Sequence, residues 1–290
     1  MPETKQPATT AATTPSPSVM AATAARRSRR RRVLDIALPI AVLAFLLGFW
    51  QLAARWQPLL EFFNLRPFLV PAPSEIGEAL WRDRSLLLDN AGVTTVEILL
   101  GLLIALVTGC LLAFALHMSA TARRAIYPLL VSSQTIPIVA NAPILIVWFG
   151  FGIGPKLAII ALICFFPVTV NALDGLRSVD PAQVRMMRTL DASRLTILRR
   201  VEIPSTLPYV FSGARIAAVV AVIGAVFGEW SGAESGLGHL ILVAQGQLQT
   251  ARVFAAVVVL SLIALTLFGL LTWIERRFTW WGKTATGGKN

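Results

Sequence analysis

A chain of 290 residues is long enough for two soluble domains, but 56% of these residues are hydrophobic, 14% are charged, and the mean hydropathy is +0.69. A soluble protein needs about a quarter of its residues charged, so lipid must solvate much of this surface, which excludes a soluble enzyme or regulator. The net charge of +11 admits a nucleic-acid binder until the basic residues are placed along the chain.

Residues 1–32 begin as an Ala, Thr, Pro and Ser tail with too little apolar surface to pack, and end in the basic run Arg26-Arg27-Ser28-Arg29-Arg30-Arg31-Arg32. A basic run before an apolar stretch is also the layout of a signal peptide. The stretch 33–54 exceeds the about 7–15 residues of a cleavable core and no small-residue cleavage site follows it. That favours an uncleaved first membrane helix over 33–56; an Arg-rich organelle transit peptide is a further alternative. In the connection 57–92, Pro71-Ala72-Pro73-Ser74 precedes Glu75-Ile76-Gly77-Glu78-Ala79-Leu80-Trp81. Ser74 there can cap a short amphipathic helix with an acidic first turn, and Trp81 suits the headgroup level.

The core, 93–281, holds further apolar stretches near 93–116, 126–149, 157–173, 209–228 and 253–274, before a short tail at 282–290. Each is close to the ~20 residues that cross a bilayer, and backbone groups in lipid must pair within their own segment. The expectation is an all-α, polytopic membrane protein with about six transmembrane helices; the short alternating segments of a β-barrel do not occur. Cys110 and Cys164 lie inside apolar runs and read as small buried hydrophobes, not as a metal site or a disulfide.

The third stretch carries Pro128, Ser132, Ser133, Gln134, Thr135, Pro137, Asn141 and Pro143. So many breakers and polar groups are costly against lipid, so this span should face protein or a water-filled passage, and Gln134, Thr135 and Asn141 are candidates to line such a path. The fifth stretch spaces Gly213, Ala217, Ala221 and Ala225 along one face, with Gly224 and Gly228 beside it. Such a stripe serves close helix packing or, alternatively, a path along Ala217 and Ala221. Glu97 and Glu229, near the ends of the second and fifth stretches, are functional candidates because charge in a span is expensive, and Glu229 joins the candidate path. Arg215 reads as snorkelling to the surface. His117 and His239 read as loop-end residues.

Between the fourth and fifth stretches, loop 174–208 reads as two short helices. Asp180-Pro181 starts the first, 181–190; Asp191-Ala192-Ser193 breaks it; Arg194 to Val201 forms the second, ended by Pro204 and Pro208. Val184, Met187 and Leu190 make an apolar stripe, with Met186 beside it. Such a loop can lie on a membrane surface or fill a cleft on a partner protein. Assigning the N-terminal tail, 117–125, 174–208 and the C-terminal tail to one side gives 19 Lys and Arg there against 6 on the other. That bias places both termini in the cytoplasm and accounts for the positive charge without nucleic acid.

The run from Asp191 through Pro204, Leu207-Pro208 and Gly213 to Arg215 resembles the EAA loop of binding-protein-dependent ABC permeases. The resemblance continues through Gly228-Glu229-Trp230-Ser231-Gly232 and Gly236-Leu237-Gly238. It appears earlier in Asn141-Ala142-Pro143, Trp148-Phe149-Gly150 and Phe166-Pro167, so that it covers roughly 60–281. Within the family the chain is similar to the branch importing sulfonates, taurine, nitrate and thiamine-precursor pyrimidines, and its wording is nearest the pyrimidine members. The resemblance implies an importer subunit of the bacterial inner (plasma) membrane that has no cofactor and no catalytic residues. Its partners would be a cytoplasmic ABC ATPase dimer, a second permease chain (a homodimer in the simplest case) and an extracytoplasmic substrate-binding protein. It also implies an ATPase-coupling set of Val184, Arg185, Met187, Leu190, Asp191, Ala192 and Ser193. Two departures stand out: Arg185-Met186-Met187 replaces the EAA triplet and Asp191 replaces its glycine, a residue that tolerates the left-handed conformation.

Competing functions fit less well. An enzyme needs nucleophile–base pairs or metal clusters, which two lone histidines do not supply. Gly150-Phe151-Gly152-Ile153-Gly154-Pro155-Lys156 misses P-loop spacing. A proton-coupled secondary carrier predicts inverted repeats and paired midplane carboxylates, and a structural scaffold would not need the polar third stretch.

Overall fold

The computed structural model describes residues 37–56 and 69–279. The expected tails 1–32 and 282–290, and part of the 57–92 connection, lie outside the described residues. The chain divides into two units, residues 1–67 and 68–290. Among the described residues of the first unit, helix α1 (Ala37–Arg55) is long and apolar enough to cross a membrane.

In the second unit, α2 (Pro73–Arg82) is the short helix expected after Pro71. Its N-cap is Ala72, not Ser74: the Glu75 carboxylate reaches back to accept the Ala72 N–H at 3.2 Å. Pro73, which lacks an N–H, fits the first helical turn without losing a bond. Trp81 is exposed, with the Arg84 guanidinium 5.0 Å from its ring.

Three long helices form the core: α3 (Arg84–Met118), α6 (Ile153–Arg177) and α9 (Ile203–Trp230). α3 and α6 run in the same direction and pack directly on each other, and α9 runs back against them, packed mainly on α6. At one end Thr94 of α3 and Lys156 of α6 lie beside Glu229 and Gly228 of α9. At the other, His117 meets Glu202, and Gly175 lies against Thr206 and Tyr209. Ile98, Leu102, Ala105, Ile160, Cys164, Val168, Ala217, Ala218, Ala221 and Ala225 fill the space between them. The small-residue stripe of the fifth stretch is therefore packed within the subunit. A Cβ added to Gly213 would lie 2.8 Å from the Pro167 carbonyl oxygen and 3.0 Å from Asn171, so α9 and α6 touch backbone to side chain there. α11 (Thr250–Phe278) closes the group against α9.

Among the described residues, five helices are long and apolar enough to cross a membrane: α1, α3, α6, the continuous stretch Arg194–Trp230, and α11. The third expected span is instead two helices, α4 (Ala120–Ser133) and α5 (Ile138–Phe149). They part at 134–137, because Pro137 cannot donate to the helix ladder and disfavours helical backbone at Ile136. Pro128, Pro143 and Pro167 are tolerated inside α4, α5 and α6.

The loop 174–208 contains α7 (Pro181–Thr189) and α8 (Arg194–Ile197). Asp180 caps α7 by accepting the Ala182 N–H at 2.8 Å, and Ser193 caps α8 through the Thr196 N–H at 3.3 Å. Asp191, at φ 52, makes the left-handed turn between them. The expected stop at Pro204 and Pro208 does not occur. A π turn, Leu198–Glu202, joins α8 to α9, so proline enters where the regular hydrogen-bond ladder is already interrupted. Between the fifth and sixth apolar stretches lies a further helix, α10 (Leu237–Gly246).

Candidate functional site

At the end of the core remote from α7 and α8, four helices converge on buried charge. Glu229, on the last turn of α9, is 1% exposed. A buried carboxylate costs several kcal/mol unless its oxygens are satisfied. Thr94 of α3 donates its hydroxyl to Glu229 Oε1 at 2.7 Å, while Oε2 accepts the backbone N–H of Gly238 at 2.5 Å and of His239 at 3.2 Å. The carboxylate therefore sits on the N-terminus of α10, where unpaired N–H groups and the helix dipole favour negative charge. Two further N–H groups of the same turn are met from α3. Gly236 N–H donates to Asn90 Oδ1 and Leu237 N–H to Thr94 Oγ1, both at 2.8 Å. Gly236 has φ 119, and a Cβ there would collide with the Glu229 carboxylate, so conformation and space both demand glycine.

A second pair adjoins the first. Lys156 Nζ donates to Glu97 Oε1 at 2.6 Å, with the two side chains 10% and 3% exposed. Glu97 Oε2 is, among the described residues, the single buried side-chain nitrogen or oxygen without a hydrogen-bond partner. Lys156 also forms part of the wall of a cavity of about 360 Å³, with Phe151, Gly152, Gly232, Glu234 and Ser235 around it. Among the described residues no group of three or more His, Cys, Asp or Glu could hold a metal.

The sequence-predicted path residues separate. Gln134 and Thr135 are exposed at the break between α4 and α5, where the Thr135 hydroxyl donates to the Ser132 carbonyl at 2.7 Å; Asn141 is half-buried on α5. Ala217 and Ala221 are fully buried in the core between α3, α6 and α9, and Glu229 is buried in the polar cluster. In the two-helix loop, Val184, Met187 and Ala192 are half-buried; Arg185, Leu190, Asp191 and Ser193 are exposed, as is Met186.

Other charges have partners that a residue-by-residue reading missed. Arg215 is bonded to Glu275 of α11 and, at 3.1 Å, to the Ser212 hydroxyl, rather than reaching toward solvent. His117 pairs with Glu202 at 3.1 Å. Asn90, Thr94 and Lys156 were not singled out, yet Asn90, Thr94 and Glu97 fall at i, i+4 and i+7, a polar stripe on one face of an otherwise apolar helix.

The geometry is that of a membrane bundle with a self-contained polar clamp at one end and a projecting helix pair at the other. Residues 99–280 match the family described as the binding-protein-dependent transport system inner membrane component. The chain belongs to that family. This permease is 37% identical to a probable ABC transporter permease protein of Haemophilus influenzae, over 83% of this chain and 96% of that protein. It is 36% identical to the formylaminopyrimidine transport permease ThiX of Halalkalibacterium halodurans, over 84% and 96%, and 32% identical to the taurine transport permease TauC of Escherichia coli, over 85% and 90%. Its fold is similar to a chain of the inward-facing MetNI methionine ABC transporter, with a TM-score of 0.60 and 19% identity over 68% of this permease and 98% of that chain. The chain is thus a multi-pass membrane subunit of an ABC importer, a transport component.

Proposed function

We propose that this permease imports a small organic solute and is driven through α7 and α8 by a cytoplasmic ATPase dimer. Its resemblance to the formylaminopyrimidine permease extends over nearly that protein's whole length, and this supports a pyrimidine thiamine precursor ahead of taurine or another sulfonate. The observation that carries the coupling reading is the projecting pair itself. α7 has no buried residue, and Met186 and Leu190 present apolar surface at 66% and 67% exposure. Exposed apolar side chains on a capped, rigid turn suit insertion into a groove of another protein.

In this reading both termini and α7–α8 are cytoplasmic, while Glu229, α10 and α2 lie on the outer side. Two permease chains enclose the path, with Gln134, Thr135 and Asn141 at its edge. Non-helical backbone at membrane depth is tolerated where it lines water or protein, and the 134–137 break provides it. An extracytoplasmic binding protein delivers the solute.

The substrate proposal is tested by titrating the partner binding protein with formylaminopyrimidine and with taurine. Tighter binding of taurine would sink the pyrimidine assignment. For orientation, cysteines introduced singly at Ser235 and Arg188, both exposed, are labelled from outside intact cells in a background lacking Cys110 and Cys164. Labelling of the Ser235 position alone is expected; the reverse pattern would invert the topology.

A further inference from the structure

The stretch Arg194–Trp230 is continuous but not uniform. Leu198–Glu202 is wound as a π turn, and Pro204 follows two residues later. A π turn carries a surplus residue and a locally weakened ladder, and such turns recur at functional sites. Left alone, it is the place where a push on α7–α8 would be absorbed before it reached α9.

It is not left alone. His117 Nε2, on the last turn of α3, lies 3.1 Å from Glu202 Oε2, with the two side chains only 14% and 13% exposed. The next residue, Met118, accepts a contact from Arg194 Nη2 through its sulfur at 3.7 Å. The end of α3 therefore holds both the first residue of α8 and the last residue of the π turn. Within α9, the Thr206 hydroxyl donates to the Glu202 carbonyl at 2.6 Å, tying the π turn forward to the long helix. Ile197 and Leu198 are buried, so the segment is also anchored by packing.

We propose that His117 and Glu202 are positioning residues that lock the π turn to α3, so that a displacement of α7–α8 carries α3 and α9 together. The proposal rests on the reading that α7–α8 receive the ATPase. A hydrogen bond to a charged group in a partly desolvated place is worth more than an ordinary surface pair, enough to stiffen five residues against bending.

The experiment uses full-length permease assembled with its ATPase in nanodiscs. Amide hydrogen exchange is followed by mass spectrometry with and without ATP plus vanadate. In the wild type, trapping should change exchange in both 181–197 and 203–212. In His117→Ala and in Glu202→Ala the change in 181–197 should persist, while that in 203–212 shrinks by about tenfold, the weight of one charge-assisted hydrogen bond. His117→Gln, whose amide can still donate to Glu202, should restore most of the response, which a loss of general packing would not allow. Wild-type transmission to 203–212 in both alanine variants would overturn the latch. A wild type in which 181–197 itself does not respond would overturn the coupling reading first, and the latch with it.

Discussion

The two ends of the core are held in opposite ways. At the Glu229 end, the carboxylate is held by three groups of its own chain, Thr94, Gly238 and His239. At the other end α7 has no fully buried residue, and the caps of α7 and α8, Asp180 and Ser193, satisfy only their own helix termini. Polar groups locked inside the subunit build its shape. Apolar groups left outside it are surface to be covered by something else. The comparison assigns stability to the first region and partnership to the second, and mutations should separate the two.

The largest effect is expected at Glu229. Glu229→Ala removes the acceptor for one hydroxyl and two backbone N–H groups in a site without water access. At about 1–3 kcal/mol for each stranded donor, the loss is about 3 kcal/mol or more. For a protein of this size that corresponds to a fall of about 10 °C in apparent melting temperature. Glu229→Gln keeps one acceptor oxygen and should lose about half as much. Thermal unfolding of detergent-extracted permease decides this; an unchanged melting temperature in Glu229→Ala would mean that α10 is held by its apolar face alone.

Next in size is the projecting helix. Leu190→Asp places a charge in the proposed groove contact, where desolvating it costs several kcal/mol, so ATPase association should weaken by about a hundredfold or more. Melting of the isolated permease should not change, because Leu190 touches little of it. Met187→Asp provides the contrast. Met187 is half-covered by its own chain, so it should lose stability as well as association. Co-purification of the ATPase alongside melting curves tests both, and intact association in Leu190→Asp would remove the coupling role from α7.

How much of this was legible in sequence follows the same division. Length and hydropathy located the long helices, since a span needs about twenty apolar residues wherever it packs. The caps of α7 and α8 and the left-handed turn at Asp191 were readable because they depend on neighbours in sequence. Pairings across helices were not. Lys156 with Glu97, Arg215 with Glu275 and His117 with Glu202 join residues 59, 60 and 85 positions apart, and nothing local announces them. Pro204 misled for a related reason: proline normally ends a helix, but here it falls in the first turn of α9, behind a π turn where the regular ladder is already interrupted. Helix α10 was missed because its start depends on Glu229, Thr94 and Asn90, none of which adjoins it in sequence.

A smaller effect is expected where α9 crosses α6. Gly213→Ala would bring a methyl group to 2.8 Å from the Pro167 carbonyl oxygen, and backbone cannot step aside cheaply. Overpacking of this kind costs about 1–3 kcal/mol, visible as a fall of a few degrees in melting temperature with ATPase association retained. A stable Gly213→Ala would show that the helices have slack at this crossing.

The smallest effect belongs to a pair outside the apolar core. Asp83, at the corner between α2 and α3, accepts from Arg252 Nε at 2.7 Å and Nη2 at 3.2 Å, tying that corner to the start of α11. The Arg252 hydrogen bonds are the main reason its carboxyl is held below the usual carboxylate value, with Arg82 adding to them against the opposing effect of burial. Because the folded protein lowers this pKa, the pair stabilises the fold at pH values above the ordinary carboxylate range. That stabilisation disappears as pH falls through the lowered value and Asp83 takes up its proton. Partial exposure and salt screening limit the contribution to about 1 kcal/mol. Arg252→Gln should therefore melt a few degrees below the wild type near neutral pH, with a gap that stays constant down to about pH 5 and closes below about pH 4. Raising the ionic strength should narrow it at neutral pH too. A gap that is equal at pH 3 and pH 7 would assign the effect of Arg252 to packing of its aliphatic stem and not to its charge.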